Sequence, residues 1–578
     1  MPEYTESLLK IIPALLASAL LMTTSLTGIL AHAADSDIKD GNIKTHHDHK
    51  APDLHPTESL TDGSVTIRGN RIDYQAAAGT LIVHPKGWDD SDGLEKDRDS
   101  LDKNRGNQDD QSDESDDKSA GQGASKNMAE ASIFYTAYFK KGASAENRPI
   151  TFLFNGGPGS SSVWLHMGAF GPKRVVTADD SHSEAAPYGL VNNDESLLDT
   201  TDLVFIDAPG TGFSRIAGKD KEKSFYGIDA DGHAFANFIA AFLSKYGRWN
   251  SPKYLFGESY GTTRSAVLAN DLQMDKDIDL NGIILLSQIL NFDASIDSPQ
   301  FNPGVDLPYV VALPTYAATA WYHHKLPPGT KTDLPALLAE VEQFATTDYN
   351  EALGEGSVLD PAKRDAIAAK LHAYTGLPVE YIKKSNLRIN GGQFEKMLQD
   401  DAGITTGRLD TRFSGPSMDP VSREADYDPQ SAAISSAYVA AFNDYVRRTL
   451  HYGEGVSYKS EIDIGKDWDM RHQAPGSDTP IAASANVMVD LAAAMKYNPK
   501  LKIQLNAGYY DLATPFYEGL YEMHHLPIPA SLQANIEYRQ YRSGHMVYAN
   551  LPSLKLLHDN VTGFIQRTDN QKATVPTN

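Results

Sequence analysis

The sequence predicts an α/β chain: a mainly parallel sheet with helices on both faces and a long, mostly helical stretch inserted into it. Three observations lead there. Short apolar runs recur from residue 150 onward: "ITFLF", "DLVFI", "KYLF", "GIILLS", "KIQLN" and "IEYRQY". Strands of a parallel sheet are buried on both faces, so they read as unbroken apolar runs. Segments with helical spacing, "GHAFANFIAAFLSKYG" and "SAVLANDLQ", alternate with several of them, as strand–helix–strand units require. Residues 293–480 interrupt that rhythm with helical patterns alone: "TYAATAWYHHKL", "LPALLAEVEQFATT" and "SAAISSAYVAAFNDYVRRTLHY". They read as a cap inserted between "GIILLS" and "KIQLN".

The elements follow in chain order. Residues 11–30 carry no charge and lead into "AHAA", the small-residue pattern of a signal-peptidase site, so residues 1–34 are expected to be a signal peptide. The apolar run is long enough to serve instead as an uncleaved membrane anchor. Residues 35–60 are polar and expected to be a disordered linker. Its His46, His47 and His49 read as solvated side chains rather than a metal site. "SVTIRGNRIDY" alternates apolar and polar residues about Gly69-Asn70 and predicts a hairpin. "GTLIVHP" and "ASIFYTAYFKK" predict two further strands. Between them residues 89–125 are acidic and poor in apolar residues, which predicts a solvated insertion without an EF-hand spacing. The core is thus expected over residues 61–292 and 481–570.

Composition narrows the function. A net charge of −24 disfavours a phosphate-binding surface, and with it nucleic acid as a partner. The chain contains no cysteine, which excludes thiol catalysis, disulfides and cysteine-ligated metals. His166, the pair His323-His324 and the pair His524-His525 read as structural, since adjacent helical residues do not share a face. No metal and no cofactor is predicted.

The chemistry points to a serine. In "YLFGESYGTTRSA" a strand turns through Gly-Glu-Ser-Tyr-Gly into a helix, the form that exposes a nucleophilic Ser259 on a strained turn. A serine hydroxyl needs a histidine to take its proton and a carboxylate to orient that histidine. "LKIQLNAGYYDLATPFYEG" presents Asp511 after one apolar run, and "IEYRQYRSGHMVYANLP" presents His545 after the next. The order Ser259, Asp511, His545 is that of the α/β-hydrolase fold. "FLFNGGPGSSSVW" offers a Gly-rich turn whose amides, with that of Tyr260, are suited to an oxyanion; it lacks the Gly-Lys-Ser/Thr ending of a phosphate loop.

Together "NGGPGSSS", "DAPGTGFS", "GESYG", "GYYD" and "SGHMV" resemble the serine carboxypeptidase family, over residues 155–547 and in the family's order. The resemblance implies an α/β-hydrolase fold with a cap. It also implies an enzyme that removes C-terminal residues from peptides through an acyl-enzyme, and the N-terminal segment makes it an exported one, periplasmic or secreted. It makes Ser259 the nucleophile, His545 the general base and Asp511 its partner. The amides of Gly157 and Tyr260 would form the oxyanion hole, and Asn155 and Glu258 would bind the substrate's terminal carboxylate. Two positions depart from the family. Ser160 stands where many members have cysteine. Ala169 stands where well-known members carry a glutamate that shares a proton with the one beside the nucleophile. Glu258 is therefore expected to lack its partner and, if ionised, to repel a carboxylate. An esterase or acyltransferase on the same scaffold is the alternative reading.

Overall fold

The computed structural model describes residues 54–88, 128–331, 333–477, 479–480 and 485–570. The expected signal peptide, residues 35–53 of the linker and the acidic insertion lie outside these.

The described chain builds one large sheet. Its strands are β1 (Glu58–Ile67), β2 (Asn70–Val83), β3 (Glu130–Lys140), β4 (Ile150–Phe154), β5 (Asp202–Ile206), β6 (Lys253–Glu258), β7 (Gly282–Leu286), β8 (Lys502–Gly508) and β9 (Ile536–Tyr541). Their order is β1-β2-β3-β5-β4-β6-β7-β8-β9, and a short strand, Arg215–Ala217, also pairs with β3. The first three are antiparallel neighbours, β5 runs antiparallel to β3, and every pair from β5 to β9 is parallel. This mainly parallel sheet with flanking helices is the α/β-hydrolase architecture, whose parallel neighbours need crossover connections of a dozen or more residues.

Alternate residues of each central strand enter opposite cores. Phe152 and Phe154, Leu255, Ile283 and Leu285 join one cluster, with Phe235, Phe238 and Phe242 of α1 (Ile228–Tyr246) and Leu268 and Leu272 of α2 (Tyr260–Lys276). Leu153, Tyr254, Phe256, Ile284 and Leu286 join the other. Both faces are dry, which is why the sequence shows runs rather than alternation.

Three expectations change. "GTLIV" is no separate strand but the second half of β2, whose Ala76–Ala78 pair with β1 on one side and β3 on the other. The linker reading ran too far, because β1 begins at Glu58, where the carboxylate accepts from Tyr135 Oη and Lys245 Nζ, each at 2.7 Å. The stretch 293–480 is also not one cap. Helices α3 (Leu307–Tyr322), α4 (Leu334–Phe344) and α5 (Pro361–Thr375) share a core of their own. By contrast α6 (Pro429–Arg448) buries Ile434, Tyr438, Phe442 and Tyr445 in the second sheet cluster. Helical spacing tells which face is apolar but not which layer it meets.

After α6 the chain returns across the Gly-rich turn. Ser161 N–H donates to Ser460 O at 2.9 Å, Ile462 N–H to Gly159 O at 2.9 Å and Ile228 N–H to Asp469 O at 3.1 Å. His472 pins this return, with Nδ1 2.6 Å from Asp229 Oδ1 and Nε2 2.7 Å from Asp490 Oδ2. Burial alone would lower its pKa, but the two aspartates hold it up at about 9. A histidine raised above its ordinary 6.5 stabilises the fold fully below that value, and the contribution fades as pH rises through about 9. His472→Asn is therefore expected to lose stability to urea at pH 6, with the gap to the parent narrowing by pH 10. An equal gap at both values would refute the charged clamp.

Candidate active site

Strand β6 ends at Glu258, and the chain turns at Ser259 with φ 61° and ψ −131° before α2 begins at Tyr260. A non-glycine residue in that region is strained. The strain holds a partly exposed hydroxyl above the sheet. Gly257 is required by close approach: a Cβ there would strike Gly261 O and Ser265 Oγ. The Ser259 N–H donates to Leu286 O at 3.0 Å, at the end of β7.

Asp511 follows β8 and His545 follows β9. His545 Nδ1 lies 2.9 Å from Asp511 Oδ2. Asp511 is fully buried and also accepts from Thr514, at 3.0 Å from N–H and 2.8 Å from Oγ1. An Nδ1–H bonded to the carboxylate leaves Nε2 as the acceptor a general base needs. Burial lowers the pKa of His545, but the charge and hydrogen bond of Asp511, with Glu258, outweigh it and raise the value above 6.5. Ser287, next to Leu286, donates Oγ to His545 O at 2.7 Å. The end of β7 thus ties the Ser259 turn to the histidine loop.

The Gly-rich turn lies against the start of α2. A Cβ on Gly156 would strike the amide nitrogen of Tyr260, so only glycine brings the two segments together. Gly157 follows with φ +104° and is exposed. Asn155 Oδ1 accepts from Leu165 N–H at 3.1 Å, and Asn155 O accepts from Arg264 Nη1 at 2.7 Å. Arg264 is itself bound to Asp231, with Nε 2.6 Å from Oδ2, and both side chains are buried. The turn that carries the Gly157 amide is thus bolted to α2.

Glu258 and Asn155 are both buried and bonded to each other, with Asn155 Nδ2 donating to Glu258 Oε2 at 2.9 Å. The expectation that Glu258 lacks a partner needs correction. Tyr548 donates Oη to its carboxylate, at 2.8 Å from Oε2 and 3.1 Å from Oε1. Ala169 is fully buried in the one-turn helix Leu165–Phe170. Its neighbour Gly168 faces two rings: a Cβ there would lie 2.7 Å from Tyr438 Oη and from Tyr548 Cδ2. Burial raises Glu258 to about 7, against the opposing pull of His545, Tyr548 and Asn155. Tyr548 was missed in the sequence, although it stands only three residues after His545. His166 is a packed core residue, its Nε2 2.7 Å from Tyr138 Oη.

Among the described residues no group of three or more metal-ligating side chains is arranged around a common point. No helix among them is long and apolar enough to cross a membrane.

Residues 111–302 match the family described as serine carboxypeptidase. That span holds Asn155, Gly157, Glu258, Ser259 and Tyr260, whereas Asp511 and His545 lie beyond it. The chain is 32% identical over 141 residues to the pheromone-processing carboxypeptidase KEX1 of Yarrowia lipolytica, covering 24% of this chain and 21% of that protein. It is 30% identical over 144 residues to a serine carboxypeptidase-like protein of Oryza sativa subsp. japonica, covering 24% and 31%. It is 28% identical over 199 residues to a carboxypeptidase Y homolog of Arthroderma benhamiae, covering 32% and 37%. The matched part thus spans well under half the length of each relative.

Proposed function

We propose, from the place of residues 111–302 in the serine carboxypeptidase family, that this chain is a serine exopeptidase releasing C-terminal residues from peptides. The observation that carries the reading is the 2.9 Å contact of His545 with buried Asp511, on the two loops beyond the strained Ser259 turn. Ser259 Oγ attacks the scissile carbonyl while His545 Nε2 takes its proton. The amides of Gly157 and Tyr260 receive the developing oxyanion. His545 then gives the proton to the leaving amine, and water resolves the acyl-enzyme by the same path. Export, to the periplasm or outside the cell, is part of the proposal and rests on the signal-like residues 1–34.

Glu258 supplies the choice of substrate. Protonated, it accepts from Tyr548 and donates its own proton to a terminal carboxylate. Ionised, it repels one. The charges and donors facing it are His545, Asp511, Tyr548 and Asn155. Hydrolysis of a free-acid peptide is therefore expected to fall as pH rises above about 7. Hydrolysis of a simple ester, which needs only neutral His545, is expected to rise across the same range. Mass-spectrometric time courses on one peptide, free and C-terminally amidated, and on a simple ester, across this pH range, test both statements. Stepwise shortening of the free acid alone supports the exopeptidase. The second reading, an esterase or acyltransferase, is favoured by Ala169 and by the commitment of Glu258 to Tyr548. Ester cleavage with both peptides untouched would establish it over the first.

A further inference from the structure

Residues 407–413, "GRLDTRF", leave the cap and thread between the two catalytic loops. Of residues 408–411, the outer two bond one loop and the inner two the other. Arg408 O accepts from Leu512 N–H at 3.1 Å and Thr411 N–H donates to Tyr510 O at 2.9 Å, on the aspartate loop. Leu409 O accepts from His545 N–H at 2.6 Å and Asp410 Oδ2 from Gly544 N–H at 3.0 Å, on the histidine loop. Asp410 is fully buried, and its Cα would lie 2.5 Å from a Cβ on Gly544. Arg412 fixes that carboxylate, with Nη2 2.6 Å from Oδ2 and Nε 3.0 Å from Oδ1. The far side is anchored as firmly. Asp428 Oδ1 accepts from Arg408 N–H at 2.7 Å, and the Arg408 guanidinium grips Asp297 at 2.8 and 2.6 Å.

We infer that Asp410 is a positioning residue for His545: its carboxylate holds the Gly544 amide, and with it the imidazole, in line with Asp511. The inference rests on the triad proposed above. It does not depend on which substrate that triad cleaves. A backbone N–H needs an acceptor rather than a charge, so an amide at position 410 should serve once the competing guanidinium is gone.

The test uses the full chain and the rate at which a fluorophosphonate labels Ser259, from pH 5 to 9. Three variants are compared with the parent: Asp410→Asn, Asp410→Ala and Asp410→Leu, each combined with Arg412→Met so that no unpaired cation is left buried. Leucine keeps the shape of aspartate without the acceptor. The Asn version is expected to keep most of the labelling rate. The Ala and Leu versions are expected to lose about 100-fold per folded molecule, the cost of a catalytic group displaced by about an ångström. Their acid limb should also move to lower pH. The charges facing His545 are Asp511, Glu258 and Arg408, and it is contact with Asp511 that raises its pKa. Equal rates in the Asn and Leu versions overturn the inference. So does slow labelling with an unmoved acid limb, or failure of both apolar versions to fold, since each would make Asp410 only structural. A parent that does not label at Ser259 removes the triad and this inference with it.

Discussion

Ser259→Ala is expected to lose about 10⁴- to 10⁶-fold in kcat, with KM for a peptide changed little. In the proposed mechanism the hydroxyl forms the acyl bond, and its removal would leave the oxyanion amides and the substrate contacts in place. His545→Ala should fall by a similar factor, because the base has no other task. The double variant should be no slower than either single one, since Ser259 and His545 act as one unit. Stopped-flow burst measurements on an activated ester would read this directly. Turnover above one-hundredth of the parent in Ser259→Ala, or additive losses in the double variant, would show that another group attacks the substrate.

Arg264→Met is expected to cost about 3–5 kcal/mol of folding stability. Arg264 is one of the largest fully buried side chains among the described residues. It pairs with buried Asp231, donates to Asn155 O and lies 4.4 Å from the centre of the Phe235 ring. Methionine leaves Asp231 charged and alone in an apolar layer, and that uncompensated carboxylate is the source of the loss. Pairing Arg264→Met with Asp231→Leu should therefore restore much of it. Activity should not return with stability, because the Asn155 carbonyl still lacks the guanidinium that bolts the Gly-rich turn to α2. Urea unfolding of the single and double variants checks the first claim, and kcat of the double variant checks the second. A single variant within 1 kcal/mol of the parent would mean that the pair contributes little.

Much of this architecture is written locally in the chain. The central strands could be read because burial on both faces leaves an unbroken apolar run, as in "DLVFI". The places of Ser259, Asp511 and His545 at strand ends could be read because each stands where such a run gives way to glycine and a turn. What could not be read depends on partners far away in sequence. Tyr548 meets Glu258 across 290 positions, and Gly544 meets Asp410 across 134. Nothing in the spacing of α6 distinguishes a helix that caps a site from one that covers a sheet. Glu258 is expected to stand alone from the sequence because Ala169 shows which side chain is missing, but not that Tyr548 reaches the carboxylate.

The pairing of Val83 with Ala131 has a consequence for how this protein can change over time. The chain leaves the sheet and re-enters it at the same rung. The residues in between therefore span no distance, and the sheet does not set their number. For a loop closed at one rung, each doubling in length adds only about 0.6 kcal/mol of closure entropy. Insertions and deletions at this rung are nearly neutral to the register of β2 and β3. It is the point where related chains should differ most in length, and where a foreign module could be spliced in.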